Sequence, residues 1–302
     1  MIAALALLLA VQTERPQAPW PPPPGPLRVV IDTDAACEVD DHYALALALG
    51  FPERITIEGF VAAHFARPDH IEKSFKDIEL VLAKAGMTGK YPVKRGAPPM
   101  KSPEDRPSAE GVDFIIERAK AGTPENPLWL VLLGPATDAV LALEKDPSIA
   151  DRLIVFWHGR SEWPKKCLNF NAKNDRFAAR RIFEQPSRYV LFDTGAQLGI
   201  SMEETAARLA PIHPLGTHLL DIRWRSKGWQ GKNKGMFDLG DIAALIDPAC
   251  APWERTAAPA VLEDMSYDFT KTHGELVRIK DVDRERSFAL LEEALRKLPK
   301  AK

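Results

Sequence analysis

Short, wholly apolar runs alternate with segments of helical spacing along most of this chain, and that alternation leaves few folds open. Leu27-Arg-Val-Val-Ile31 is rich in branched residues and runs straight into acids, the pattern of a buried strand. Asp41 to Leu49 then sets apolar residues at helical spacing and is closed by Gly50 and Pro52. Ile55 to Ala62 reads as the next strand and Pro68 to Ala85 as the next helix. Leu128 to Leu133 is a fully apolar strand, Ala136 to Glu144 a helix, and Arg152 to Trp157 another strand. The alternation continues with a helix over Asn174 to Phe183, a strand over Tyr189 to Phe192 and a helix over Glu203 to Leu209. A last amphipathic helix covers Arg284 to Leu298. Strands without a polar face must be covered on both sides. The expected fold is therefore α/β, a mostly parallel central sheet with helices on both faces. In such sheets ligands collect beyond the carboxyl ends of the strands, in the loops that follow.

The 302 residues suit one large domain. Lys and Arg number 40 and Asp and Glu 42, a formal charge of −2, which gives no footprint for nucleic acid or for an anionic membrane surface. Cys37, Cys167 and Cys250 are too few and too scattered for a disulfide framework or a zinc knuckle. Ile2 to Val11 is an apolar run far short of the roughly 20 residues that span a bilayer, so no stable membrane insertion is expected. Its length suits the core of a secretory signal, although only Met1 precedes it. That reading exports the chain to the periplasm or the medium; without a signal it is cytoplasmic. Pro16 to Pro26, with Pro21 to Pro24 consecutive, favours a stiff polyproline spacer. The expected division is residues 1–26 as signal and linker and 27–302 as the folded domain.

The densest chemical signal follows the first strand: Asp32-Thr-Asp34-Ala-Ala-Cys-Glu38-Val-Asp40-Asp41, five carboxylates in ten residues. Apolar residues on both sides pin this turn between buried elements, where crowded carboxylates raise one another's pKa unless a cation neutralises them. A hard divalent cation with oxygen ligands, calcium or magnesium, resolves the crowding, and calcium tolerates such a loop better. Helix capping by Asp40 or Asp41 is the plainer alternative, and it explains one or two acids rather than five. An Asp-x-Asp phosphatase nucleophile is another. It calls for Thr or Val where Ala36 stands and for a downstream lysine motif that is lacking.

With Ala44-Leu45 following Asp40-Asp41, this stretch resembles the opening motif of the inosine–uridine-type nucleoside hydrolases, with a turn two residues longer that contains Glu38. Pro92-Val-Lys-Arg-Gly96-Ala97, Leu133-Gly-Pro-Ala-Thr137-Asp138 and Asn169-Phe170-Asn171 with Asp175 and Ala178-Ala179 resemble further segments of that family, in the same order. Phe237-Asp238-Leu-Gly-Asp-Ile-Ala is similar to its late Asp-containing helix start. The resemblance implies a Rossmann-like nucleoside hydrolase fold and a Ca2+ site formed by Asp34, Asp41, Asp238 and the carbonyl of Leu133. It implies Asp34 as general base, and Asp40 and Asn171 on the ribose hydroxyls, with Asn169 where the family has a Glu facing the 5′ end of the sugar. The implied reaction is calcium-dependent hydrolysis of the N-glycosidic bond of a ribonucleoside to ribose and free base. The implied partner is a small-molecule nucleoside or related glycoside, and the family's habit of forming dimers or tetramers allows a homo-oligomer.

Phe237 stands where classical members carry the histidine that helps the base to leave, and phenylalanine donates no proton. His64 after the second strand, His158 after the Val-Phe-Trp strand, and the segment Arg223-Trp-Arg-Ser-Lys-Gly-Trp229 are the candidates to replace it. Trp224 or Trp229 would stack on a base, and the plainer reading of each is a half-buried surface aromatic. For the two histidines the plainer reading is an internally paired imidazole. Two rival functions remain: a hydrolase of another glycoside on the same scaffold, and a calcium-dependent nucleoside- or sugar-binding protein that does not cleave.

Overall fold

The computed structural model describes residues 16–159, 161–194, 198–225 and 233–299. Its first half runs β1 (Leu27–Thr33), α1 (Asp40–Leu49), β2 (Ile55–Ala62), α2 (His70–Lys84), β3 (Val93–Arg95), α3 (Glu110–Lys120), β4 (Leu128–Leu132), α4 (Thr137–Lys145) and β5 (Leu153–His158). The second half runs α5 (Phe170–Asn174), α6 (Arg176–Arg181), β6 (Arg188–Phe192), β7 (Gly199–Ile200), α7 (Met202–Arg208), α8 (Pro214–Arg225), β8 (Lys234–Gly235) and α9 (Leu239–Ile246). It closes with β9 (Trp253–Val261), β10 (Tyr267–Ile279) and α10 (Arg284–Lys297).

Eight strands form one sheet in the order β3-β2-β1-β4-β5-β6-β10-β9. Neighbours are parallel except for the β9–β10 pair at one edge. The chain builds outward from β1 to β3, then returns to the other side of β1 with β4. This change of direction opens a crevice between β1 and β4, the place where open α/β sheets bind ligands. Leu133 N donates to Asp32 O at 2.8 Å and Ala63 N to Thr33 O at 2.9 Å, so the backbone beyond β1 is fixed from both sides.

Alternation along the strands fills two cores. Val29, Ile31, Trp129, Val131, Ile154 and Phe156 face one layer with α1, α9 and α10, while Val30, Leu128, Leu130, Leu132, Val155 and Trp157 face the other with α3 and α4. All ten residues of α1 are buried, including its two aspartates. A Cβ on Gly50 would lie 2.4 Å from Ala294, so glycine is needed where the end of α1 crosses α10.

One expected helix changes. The helix expected over Asn174 to Phe183 is broken at Asp175, whose extended backbone (φ −149°, ψ 92°) lets its side chain cap α6 through Ala178 N. Residues 16–26, expected as a spacer, pack against the sheet domain. Trp20 is buried against Trp129 and Phe156, with ring centroids 6.4 and 5.9 Å away. Arg54 donates to the carbonyls of Pro23 and Gly25, and Arg255 to that of Ala18, which supplies bonds a polyproline backbone cannot make internally. The β9–β10 hairpin and helices α3 and α8 were not in the sequence reading. Pro259 inside β9 is tolerated because β9 is an edge strand.

Candidate active site

The end of β1 delivers Asp34 into the crevice, and the turn after it is closed by Cys37 N donating to Asp34 O at 2.7 Å. Helix α1 then opens with Asp40 and Asp41 in its first turn, where the helix dipole favours negative charge. Neither acid caps the helix: Val39 occupies that position and no side chain bonds the free amides. On the far wall Asp238 leads into α9, again without a capping bond. The plain capping explanation of the acidic run therefore fails.

These segments enclose a cavity of about 470 Å³ lined by Asp34, Asp40, Asp41, Leu133, His158, Asn169, Asn171 and Asp238, together with Cys37, Glu38, Ser161, Phe170 and Phe237. Carboxylate oxygens of Asp40, Asp41 and Asp238 lie within 4.8 Å of one another. Burial and the neighbouring Asp40 push Asp41 up to about 7, while Thr33 Oγ1 donates to it and opposes the shift. Asp34 is raised well above the usual carboxylate range by burial and then by Asp41, and Asp238 by burial and then by Asp41 and Asp40. No other described residue donates a hydrogen bond to the Asp34 side chain; only its own backbone amide counters the shift. A Cβ on Gly134 would stand 3.1 Å from that carboxyl group, so glycine keeps the space beside it open. Buried, mutually repelling carboxylate oxygens facing one cavity fit a hard cation.

Asn171 sits on the same wall with its amide orientation fixed: Nδ2 donates to Leu133 O at 2.7 Å and to His158 O at 3.1 Å. Its Oδ1 is then the group it can offer to a hydroxyl. Asn169 also lines the cavity, but its Oδ1 caps α5 by accepting from Ala172 N at 2.8 Å. Asp40 accepts from Phe237 N at 3.1 Å through one oxygen and faces Lys234 Nζ at 3.3 Å through the other.

His158 projects from the end of β5, with Nδ1 2.6 Å from Asp241 Oδ2 and 3.4 Å from Asp238 Oδ1. Asp241 was quoted in the late motif but given no role. Burial raises it to about 6 against the attraction of His158. Lys234 was missed as well: it is buried, and its ammonium lies 2.6 Å from Glu38 Oε2. Its only sequence signal was its place four residues before Asp238, and residue type alone does not separate a buried lysine from a solvated one.

His64 is corrected. It lies outside the cavity lining, where Nε2 meets Thr137 Oγ1 at 2.9 Å and Nδ1 accepts from Ala66 N at 3.2 Å. Burial pushes it down to about 4, so it is a neutral, internally paired imidazole. Trp224 is 66% exposed at the end of α8 and is not among the described residues that line the cavity. Trp229 lies outside the described residues. Among the described residues no helix is long and apolar enough to cross a membrane.

The family profile described as inosine-uridine preferring nucleoside hydrolase matches residues 29–290. No curated protein matches this sequence. Among solved structures, a plant nucleoside hydrolase (PpNRh1) superposes with a TM-score of 0.72 at 20% identity, covering 91% of this chain and 99% of that one. A purine-preferring ribonucleoside hydrolase from Gardnerella vaginalis gives 0.72 at 17% identity, over 90% and 98% of the two chains. An inosine-uridine preferring nucleoside hydrolase from Bacillus anthracis gives 0.65 at 15% identity, over 90% and 99%. At these identities the superpositions speak for the fold.

Proposed function

The chain belongs to the inosine-uridine preferring nucleoside hydrolase family and is a glycosyl hydrolase, and on that premise we propose that it cleaves the N-glycosidic bond of a ribonucleoside with Asp34 as general base. The observation that carries this reading is the state of Asp34: buried, without a donor from another described residue, and open to the cavity beside Asp41 and Asp238.

Asp34, Asp41, Asp238 and the carbonyl of Leu133 would hold a divalent cation, and an all-oxygen set in an acidic loop favours calcium. When bound, that cation supplies positive charge that acidifies water and holds sugar hydroxyls. Asp34, open to the cavity, accepts the proton of the attacking water. Asn171, with both amide protons engaged on backbone carbonyls, receives a ribose hydroxyl at Oδ1. Asp40 borders the same hydroxyls while anchored to Phe237 N. As the bond to the base breaks, positive charge develops on the sugar, and the surrounding carboxylates are already in place to stabilise it. Phe237 has no proton for the departing base. His158, held at Nδ1 by Asp241, is the imidazole on the cavity wall and takes that task.

A second reading, cleavage of another glycoside, draws on Asn169: its oxygen is engaged in a helix cap, so the far end of the sugar meets no carboxylate there. The experiment is release of base and reducing sugar from a panel of purine and pyrimidine nucleosides, with other pentosides alongside. Ribose from at least one nucleoside is expected. Sugar from the other pentosides alone would move the assignment to the second reading, and nucleoside binding without cleavage would make the chain a binding protein.

A further inference from the structure

We infer that Lys234 is a positioning residue that assembles the cation-holding carboxylates, an inference that rests on the cation reading of the preceding subsection. Lys234 is 3% exposed, with Nζ 2.6 Å from Glu38 Oε2, 3.3 Å from Asp40 Oδ1 and donating to Gly235 O at 2.6 Å. Glu38 belongs to the turn that joins β1 to α1 and Asp40 opens α1, whereas Lys234 begins the segment that leads to α9. The ammonium therefore links the two chain segments that supply the proposed ligands. Phe237 N reinforces the link through the second oxygen of Asp40, at 3.1 Å.

The position of these links matters. Asp41 directly follows Asp40, and Asp238 directly follows Phe237. Asp40, which Lys234 Nζ and Phe237 N both hold, thus sits one residue from Asp41, and Phe237 one residue from Asp238, so on this inference the two links set how far apart those ligands stand. Without the ammonium, Glu38 and Asp40 would add their charge to the repulsion among Asp34, Asp41 and Asp238, and the two segments would separate. The turn is two residues longer than the family pattern it resembles and contains Glu38, so the longer turn supplies the partner that makes a buried lysine tolerable here.

Two effects of opposite sign make this testable. A lysine that acts only as a nearby positive charge repels an incoming cation, so removing it would tighten cation binding. A lysine that positions the carboxylates does the reverse, and losing such a supporting partner lowers metal affinity by about 10–100-fold. The experiment is calorimetric titration of calcium into chelator-treated full-length wild type, Lys234→Met and Lys234→Arg, with near-ultraviolet circular dichroism of each metal-free protein. Lys234→Met is expected to bind calcium about 10–100-fold more weakly and Lys234→Arg to recover most of the loss. Equal or tighter binding by Lys234→Met would overturn the inference. Where Lys234→Met does not fold, Lys234→Gln is titrated under the same criterion. If the wild type binds neither calcium, magnesium nor manganese, the cation reading itself fails and takes this inference with it, an outcome distinct from equal binding by the variant.

Discussion

Two buried carboxylates stand at the carboxyl edge of the same sheet in very different company: Asp193 after β6 and Asp34 after β1. Asp193 Oδ1 accepts from Ser161 N at 2.6 Å and Ser161 Oγ at 2.7 Å, and Oδ2 accepts from Arg278 Nε at 2.7 Å. Burial raises its pKa, and these three donors work against the rise. Asp34 is buried as deeply, is raised well above the usual range, and faces Asp41, Asp40 and Glu38 instead of donors. Buried polar groups are normally satisfied, and on the reading proposed above this carboxylate, which also opens on the cavity, is kept for a ligand rather than for the fold. Asp193 completes a structural junction between β6, β10 and the loop after β5. Asp34 completes nothing within the described chain.

That contrast predicts opposite consequences for the same substitution. Asp34→Asn should lower nucleoside turnover by about 10²–10⁴-fold, the usual contribution of a positioned base, while leaving the melting temperature of the chelator-treated, metal-free protein unchanged or higher because a repelling group is gone. Turnover within a few-fold of wild type would remove Asp34 from the chemistry. Asp193→Asn should cost about 1–3 kcal/mol in denaturant unfolding, since Arg278 keeps a second partner in Glu254 at 2.9 Å. A stability loss at Asp34 equal to that at Asp193 would erase the distinction.

Acidity sharpens the comparison. Asp41 is raised to about 7 in the folded protein from an ordinary 3.8, so the metal-free fold binds protons that the unfolded chain has already released. Its contribution therefore favours the fold at low pH and is lost as pH rises through 7. Thermal unfolding in chelator should show a falling midpoint between about pH 4 and 7, and calcium should restore it most at the upper end, where no proton competes. A restoration independent of pH would contradict the placement of the cation on this carboxylate. The smallest effect is expected at Trp224→Ala, which should leave KM unchanged, because that side chain stands outside the cavity. A clear rise in KM would return Trp224 to the substrate.

Most of the architecture was legible because strands buried on both faces leave a continuous apolar signature, as Leu128 to Leu132 and Leu153 to Trp157 do. Local crowding drew attention to the acidic turn, and the resemblance to the family motifs implied Asp34, Asp41 and Asp238, which the fold brings to one cavity. What the sequence hid were pairings between distant segments. Nothing local tells that Lys234 reaches Glu38, or that His158 meets Asp241 across 83 positions. Trp20 was hidden by its prolines, which signal a spacer whether or not an aromatic among them finds a core. His64 and His158 looked alike in sequence, each just beyond a strand, and only their neighbours separate a paired imidazole from one on the cavity wall.

The most direct test strips the wild-type protein with a chelator and titrates calcium back while following ribose release from its best nucleoside and the unfolding midpoint together. The expected result is that both rise over the same calcium range, with release abolished at the start. Ribose release that persists unchanged after complete chelation, or calcium that restores stability in a protein cleaving no nucleoside, would contradict a hydrolytic centre built on Asp34, Asp41 and Asp238.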